Sequence, residues 1–288
     1  MTTGEIALRE WYLISAGLVG LVVGSFLNVV IHRLPRMLER RWHRECAEAS
    51  GTSAPETAPP YNLARPGSHC PACGRPIPPW ANIPVLSWIL LGGRCHDCKA
   101  KISLRYPLVE LASAGGAILC AMGFATPLQA LGAMLLFWML MTLALIDFDH
   151  QILPDAITLP GIWLGLALNS WGLFVPLRSA LWGAILGYLF LWAVYQSFRL
   201  LTGKEGLGYG DFKLLALLGA WLGAPSLIVV ILLASVIGAL TGILLILTGR
   251  HRRGQPMPFG PFLAGAGLVS LAYGGPLLKF WLHLIHPA

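Results

Sequence analysis

The stretch from Trp11 to Ile31, WYLISAGLVGLVVGSFLNVVI, holds no charged residue, and Arg33, Arg36, Arg40, Arg41 and Arg44 follow it closely. A helix needs about 20 apolar residues to cross the hydrocarbon core of a bilayer. Basic residues gathered at one end of such a run mark the cytoplasmic side. The run is too long for the apolar region of a signal peptide. It is preceded by Glu5, Arg9 and Glu10, not by a basic segment, and no small-residue cleavage site follows it. It therefore reads as a retained first membrane helix.

Working outward, apolar runs of similar character recur at about 107–124, 128–146, 157–175, 179–198, 211–227, 229–248 and 259–283. Hydrophobic residues make up 56% of the 288 residues and charged residues 11%, against about 25% charged in an average soluble domain. Too little polar surface remains for a soluble globule of this size. The fold class expected is an all-α polytopic membrane protein of about eight transmembrane helices. The expected domains are a first transmembrane helix over 1–32, a polar cytoplasmic domain over 33–105 and a membrane domain over 106–288. Lys and Arg in alternate loops put both termini outside.

The net charge of +7 does not point to nucleic acid. The basic residues sit beside span ends, at 33–44 and again at Arg250, Arg252 and Arg253. There they set topology and meet anionic membrane lipids. The pairs Gly20 and Gly24, Gly219 and Gly223, and Gly238 and Gly242 predict close packing among the chain's own helices.

The polar segment carries two CxxC pairs, Cys70 with Cys73 and Cys95 with Cys98, separated by 21 residues. Four thiolates at this spacing predict a structural Zn²⁺ site, closed to water chemistry because sulfur fills every position. A cytoplasmic placement disfavours the competing disulfides. Gly74 and Gly93 supply tight turns, and His96 and Asp97 read as surface residues. Cys120 lies inside an apolar run as a buried thiol, and Cys46 has no partner pair.

The acidic residues are scarce and concentrated. After Glu110 there are five: Asp147, Asp149 and Asp155 in LIDFDHQILPD, and Glu205 and Asp211 in GKEGLGYGDFK. Carboxylates at the edge of hydrocarbon are costly and usually have a task. Two aspartates in a shielded site can share a proton, one activating water while the other acts as acid. Loop aspartates are otherwise ordinary solvated groups or helix caps. The glycines at 206, 208 and 210 allow a close approach of backbone before Asp211. If the third run ends as a helix at Ile146, its dipole opposes charge at Asp147, while the helix opened by Asp211 favours it there.

Gly208-Tyr209-Gly210-Asp211 resembles the signature of GxGD-type intramembrane aspartyl proteases. The chain as a whole is similar to the type IV prepilin peptidases, bifunctional leader peptidases and N-methyltransferases. The likeness runs through GSFLNVVIHRLP (24–35), both cysteine pairs, RYPLVE (105–110), IDFDHQILPD (146–155), GKEGLGYGDFKLL (203–215) and PFGPF (258–262). The resemblance implies an aspartic endopeptidase whose catalytic pair is Asp147 and Asp211. Gly208, Gly210 and Asp149 would have loop or substrate-supporting roles. It implies prepilin and pseudopilin substrates, of pili and type II secretion, cut after a glycine at the cytoplasmic face of the bacterial inner membrane. It also implies methylation of the new N-terminus from S-adenosylmethionine, whose site could lie in the 33–105 segment or at its junction with the membrane. The alternatives are a peptidase that does not methylate, a proton-coupled transporter, or a pilus assembly scaffold. Acids at one face and the absence of a visible inverted repeat count against the transporter.

Overall fold

Inside hydrocarbon no water is available to bond backbone N–H and C=O groups, so an apolar run of spanning length has to satisfy them within itself. The computed structural model of the protein describes residues 3–51, 61–204, 206–249 and 257–285, and the apolar runs are all helical. In chain order they are α1 (Thr3–Ala49), the short α2 (Leu86–Leu90), α3 (Arg105–Gly123), α4 (Pro127–His150), α5 (Asp155–Ser170), α6 (Leu177–Thr202), α7 (Tyr209–Leu222), α8 (Ser226–Leu247) and α9 (Gly260–Ile285). Among the described residues there is no strand, only isolated bridges at His69–Pro76 and Arg94–Lys101.

Six of these helices, α1, α3, α4, α6, α8 and α9, are long and apolar enough to cross a membrane. The expectation of about eight spans included α5 and α7, which are helices of 16 and 14 residues. At 1.5 Å per residue, 14 residues reach roughly 21 Å, short of a hydrocarbon core of about 30 Å. Lipid-type surface is plain on α8, which exposes Ile228, Val236, Ile237, Leu240, Ile243 and Leu244. Water would not tolerate such a face on a monomer.

The chain divides into two compact units, Met1–Met134 and Leu135–Ala288, the division falling within α4. In the first unit α1 does not stop near residue 32. It continues through Pro35 to Ala49, so much of the basic run is helical. Arg36, Arg40, Arg41 and Arg44 are exposed as expected of charges beside a membrane. Arg33 departs from that reading. It is buried, and its guanidinium donates to the carbonyls of Asn62 and Leu63 at 3.1 and 3.4 Å. The helices α1 and α3 lie against each other, and a Cβ on Gly20 or Gly24 would meet the α3 backbone at 2.6 or 2.8 Å. Two polar ties cross this contact: Ser113 Oγ donates to the Gly20 carbonyl at 2.6 Å, and Asn28 Nδ2 to that of Tyr106 at 3.1 Å.

The second unit is built around α7. Every residue from Leu214 to Leu222 is buried, and α5, α6, α8 and α9 all contact this helix. Its core joins Leu136, Leu140 and Leu143 of α4 to Phe212, Leu215 and Trp221 of α7 and Leu263 of α9. Where α6 and α7 cross, Gly183 and Gly219 face one another so closely that a Cβ on either would run into the other's backbone. The small-residue contact replaces side chains with backbone-to-backbone packing. A buried asparagine locks the same end of α7. Asn169 Nδ2 donates to the carbonyls of Ala220 and Trp221, and its Oδ1 accepts from the N–H groups of Phe174 and Val175. Trp221 Nε1 donates to the Gly161 carbonyl at 2.8 Å.

Candidate functional site

An α-helix that ends leaves carbonyls without partners, and one that begins leaves N–H groups without them. The acidic motifs of the sequence fall at such ends. α4 continues past Ile146 to His150, so Asp147 stands in its last turn, and its carbonyl accepts the N–H of Gln151 at 2.9 Å. Gln151 takes φ 55°, a left-handed residue that closes the helix. Residues 151–154 then lead into α5. Asp211 stands in the first turn of α7, behind an extended Gly208 at the N-cap, and its N–H donates to the Gly208 carbonyl at 3.1 Å.

Both side chains are withdrawn from the surface, Asp147 at 5% and Asp211 at 7% exposure. Leu153 brings their supports together. A Cβ on Gly210 would meet Leu153 Cβ at 2.7 Å, and one on Gly260 would meet Leu153 Cδ2 at 3.2 Å and Asp147 Oδ2 at 2.6 Å. The two carboxylates are near enough to interact electrostatically. Glycine at 210 is thus there for room: its positive-φ freedom is not used, and the missing side chain admits Leu153.

Asp147 has one further partner, from the PFGPF stretch (258–262) that the resemblance marked without a role. Its Oδ2 accepts the N–H of Gly260 at 2.9 Å, in a buried contact. Gly260 is the first residue of α9, so the positive end of a helix points at this carboxylate. From α4 alone, the field at Asp147 opposes its charge. With α9 beginning against the same side chain, two helix ends act on it in opposite senses.

The other motif acids differ. Asp149 is exposed. Asp155, also exposed, accepts two bonds from Lys213 Nζ at 2.6 and 2.8 Å, which ties the start of α5 to the start of α7. Glu205 and the basic cluster at 250–253 lie outside the described residues. Tyr209 is half exposed, and its hydroxyl donates to that of buried Tyr195 at 3.3 Å. Phe212 packs against both rings. This aromatic wall beside the loop went unread in the sequence, although a tyrosine between two glycines could have signalled it.

The four sequence-matched cysteines come together in the first unit, their sulfur atoms all within 4.8 Å of one another, and Cys70 Sγ to Cys98 Sγ is 3.8 Å. Tetrahedral Zn²⁺ with Zn–S bonds of about 2.3 Å places sulfurs roughly 3.8 Å apart, so the donor set fits this ion. Each pair forms the same turn. Gly74 N–H donates to the Cys70 carbonyl and Lys99 N–H to that of Cys95, and Gly74 and Lys99, each just after the second cysteine, have φ near 69° and 59°. Gly93 takes a left-handed φ of 66° as a tight turn requires, and it also makes room for Trp88, whose ring would lie 2.7 Å from a Cβ there. Trp88 donates to the Ile102 carbonyl and so packs within this segment. The Cys70 thiol is lowered to about 6 by the backbone N–H groups of Cys73 and Ala72. Cys98 has the Ala100 N–H in favour of its thiolate, yet desolvation and the other three thiols push it up to about 11. Four thiolates gathered in this way call for a cation among them. His96 and Asp97 stand outside the cluster and pair with each other, and Asp97 also pairs with Arg75.

Two buried ionisable side chains in the same unit are already engaged within the protein. Arg33 holds the 62–63 carbonyls, and Glu110 Oε2 accepts the N–H of Val85 at 2.7 Å. Val85 is a β-branched residue at φ 59°, an outlier that the bond to Glu110 helps hold in place.

Comparison with known proteins agrees in both units. Residues 18–124 match the family described as Bacterial Peptidase A24 N-terminal domain, and residues 134–243 match the Type IV leader peptidase family. A protein of Pseudomonas aeruginosa named prepilin leader peptidase/N-methyltransferase is 51% identical over 92% of this chain and 91% of its own length. Proteins of the same name are 52% identical in Aeromonas salmonicida, over 93% of each chain, and 51% identical in Pseudomonas putida, over 97% of each. No solved structure matches the chain.

Proposed function

The chain belongs to the type IV leader peptidase family, and on that premise we propose that it removes the leader peptide of prepilins and pseudopilins and then methylates the new N-terminus, with Asp147 and Asp211 as the hydrolytic pair. The observation that carries the peptidase half is two withdrawn carboxylates within electrostatic reach of each other, from the end of α4 and the start of α7, whose glycine neighbours Gly210 and Gly260 both pack on Leu153. Neither belongs to a metal-type donor cluster among the described residues, since the one such cluster is the four cysteines.

Two such carboxyls hydrolyse a peptide by dividing the proton work. The ionised member takes a proton from water as the oxygen attacks the scissile carbonyl carbon. The protonated member gives its proton to the carbonyl oxygen, producing a tetrahedral gem-diol. When this collapses the C–N bond breaks, the nitrogen receives a proton, and both carboxyls return to their starting state. The pair titrates as a unit. Gly208 and Gly210 keep side chains away from the loop that meets the substrate strand. Asp149, exposed two residues beyond Asp147, serves substrate or loop support. The long apolar helix and basic leader of such substrates suit an acidic site at the cytoplasmic face of the inner membrane.

S-adenosylmethionine supplies an electrophilic methyl group to the freed amine. This half of the reading is supported by the relatives' names. The zinc reading is supported by sulfur spacing, and four thiolates give it a structural role that leaves no coordination position for water.

The test is direct. Purified protein in detergent, given a prepilin and S-adenosylmethionine, is expected to shorten the substrate to its mature mass and add one methyl group. An intact substrate under conditions where a relative cleaves it would remove the reading. Cleavage without the methyl increment would leave a peptidase alone.

A further inference from the structure

The contact between α9 and the acidic site lies beyond the stretch matched by the leader peptidase family, which ends at residue 243. Gly260 opens α9, and its N–H belongs to the first turn, where no intrahelical carbonyl is available. The N–H is aimed at Asp147 Oδ2 at 2.9 Å and is buried. The flanking residues fix that aim. Pro261 has no N–H and a φ suited to a helix start, and the N–H groups of Phe262 and Leu263 both donate to the Phe259 carbonyl. Leu263 and Ala264, one turn further on, are buried in the core. The donor is therefore mounted on a packed element and not on a free loop.

We propose that Gly260 is a positioning residue for the peptidase reaction: its backbone N–H orients the Asp147 carboxylate, leaving Oδ1 turned toward water and the scissile bond. The inference rests on Asp147 being one of the hydrolytic pair. Glycine is required because a Cβ at 260 would lie 2.6 Å from Oδ2 and 3.0 Å from Cγ of Asp147. No left-handed φ is involved at this position, so alanine strains the carboxylate and not the backbone. Turning the carboxylate by an ångström costs rate while leaving substrate binding in place.

The experiment compares purified wild type, Gly260→Ala, Gly265→Ala and Asp147→Asn on a prepilin in detergent, recording kcat and KM separately, with methyl transfer followed on a pre-cleaved substrate. Gly265 is exposed on the same helix and has open space for a methyl group. Gly260→Ala is expected to lower kcat about 100-fold with KM within about threefold and methyl transfer unchanged. Gly265→Ala should match wild type. Wild-type kcat in Gly260→Ala, beside an inactive Asp147→Asn, overturns the positioning role and leaves the pair standing. Normal cleavage by Asp147→Asn overturns the pair itself. If Gly260→Ala does not fold, amide exchange decides. Peptides covering Met257–Phe262 should exchange faster in Asp147→Ala than in wild type, because the Gly260 amide loses its acceptor. Equal exchange rates in the two proteins overturn the inference.

Discussion

Single side chains near the acidic site separate into those that can act and those that hold. Lys213 and Asp155 form an ion pair with both partners partly in solvent, at 27% and 55% side-chain exposure, and exposed pairs contribute under about 1 kcal/mol. Asp155→Asn is therefore expected to keep cleavage within about tenfold of wild type in the detergent assay, whereas a loss comparable to a catalytic variant would show that Asp155 does chemistry. Leu153 stands differently, since Gly210 and Gly260 both pack on it. Leu153 is half-buried, so truncating it to Ala where the two acidic helix ends meet costs at most the low end of the about 2–5 kcal/mol of a buried leucine, readable as a lower unfolding temperature together with slower cleavage. The sequence made Asp147 and Asp211 legible through scarcity: five acids in two short turns, in an otherwise apolar half. It marked Gly260 within PFGPF but not its contact with Asp147, because the bond spans 113 residues and no local pattern encodes which carboxylate a distant helix start will face.

Among the elements, α7 carries the most consequence. Apart from the short α2 it is the shortest α-helix, and it is the one surrounded by the others, which is why length alone excludes it from the spans while hydropathy included it. Its register is held near its C-terminal end, by backbone contact at Gly183 and Gly219 and by Asn169 on the carbonyls of Ala220 and Trp221. Asn169 satisfies two carbonyls and two N–H groups, and removing a buried partner leaves those groups unpaired at about 1–3 kcal/mol each. Asn169→Leu is expected to destabilise the protein by about 3 kcal/mol or more in chemical unfolding in detergent micelles. A variant as stable as wild type would mean that water reaches these groups. The asparagine was passed over in the sequence because one amide in an apolar run carries no periodic signal. The glycine spacings were read, but pairing Gly219 with Gly183 requires knowing that α6 and α7 cross there. α1 shows the opposite limit: the basic run after Ile31 suggested an end to the helix, yet it runs on for 14 residues beyond Pro35 to Ala49.

For the molecule as a whole, two units carry two chemistries. The first brings four cysteines to metal-ligand spacing, and the spacing was legible because each CxxC turn is local. One equivalent of zinc per chain is the expected content by elemental analysis. Cys73→Ser should lower it and expose the 61–104 segment to limited proteolysis, since a small polar domain of this kind depends on its metal to fold. Full metal content in that variant would show that the four sulfurs are not the ligands. Acidification should also release the ion, because protons compete for the thiolates. The second unit was legible as helices from hydropathy and as an acidic site from motif, while the convergence of α4, α7 and α9 on one carboxylate belongs to tertiary packing alone.

The pairing of Asp147 with Asp211 is the centre of the account, and it is tested by purified Asp147→Asn and Asp211→Asn, each mixed with a prepilin in detergent, with methyl transfer measured on a pre-cleaved substrate. Each variant is expected to lose cleavage by about 10³-fold or more while still methylating the cut substrate. Cleavage near the wild-type rate in either variant contradicts the account and moves the hydrolytic role to Asp149 or Asp155.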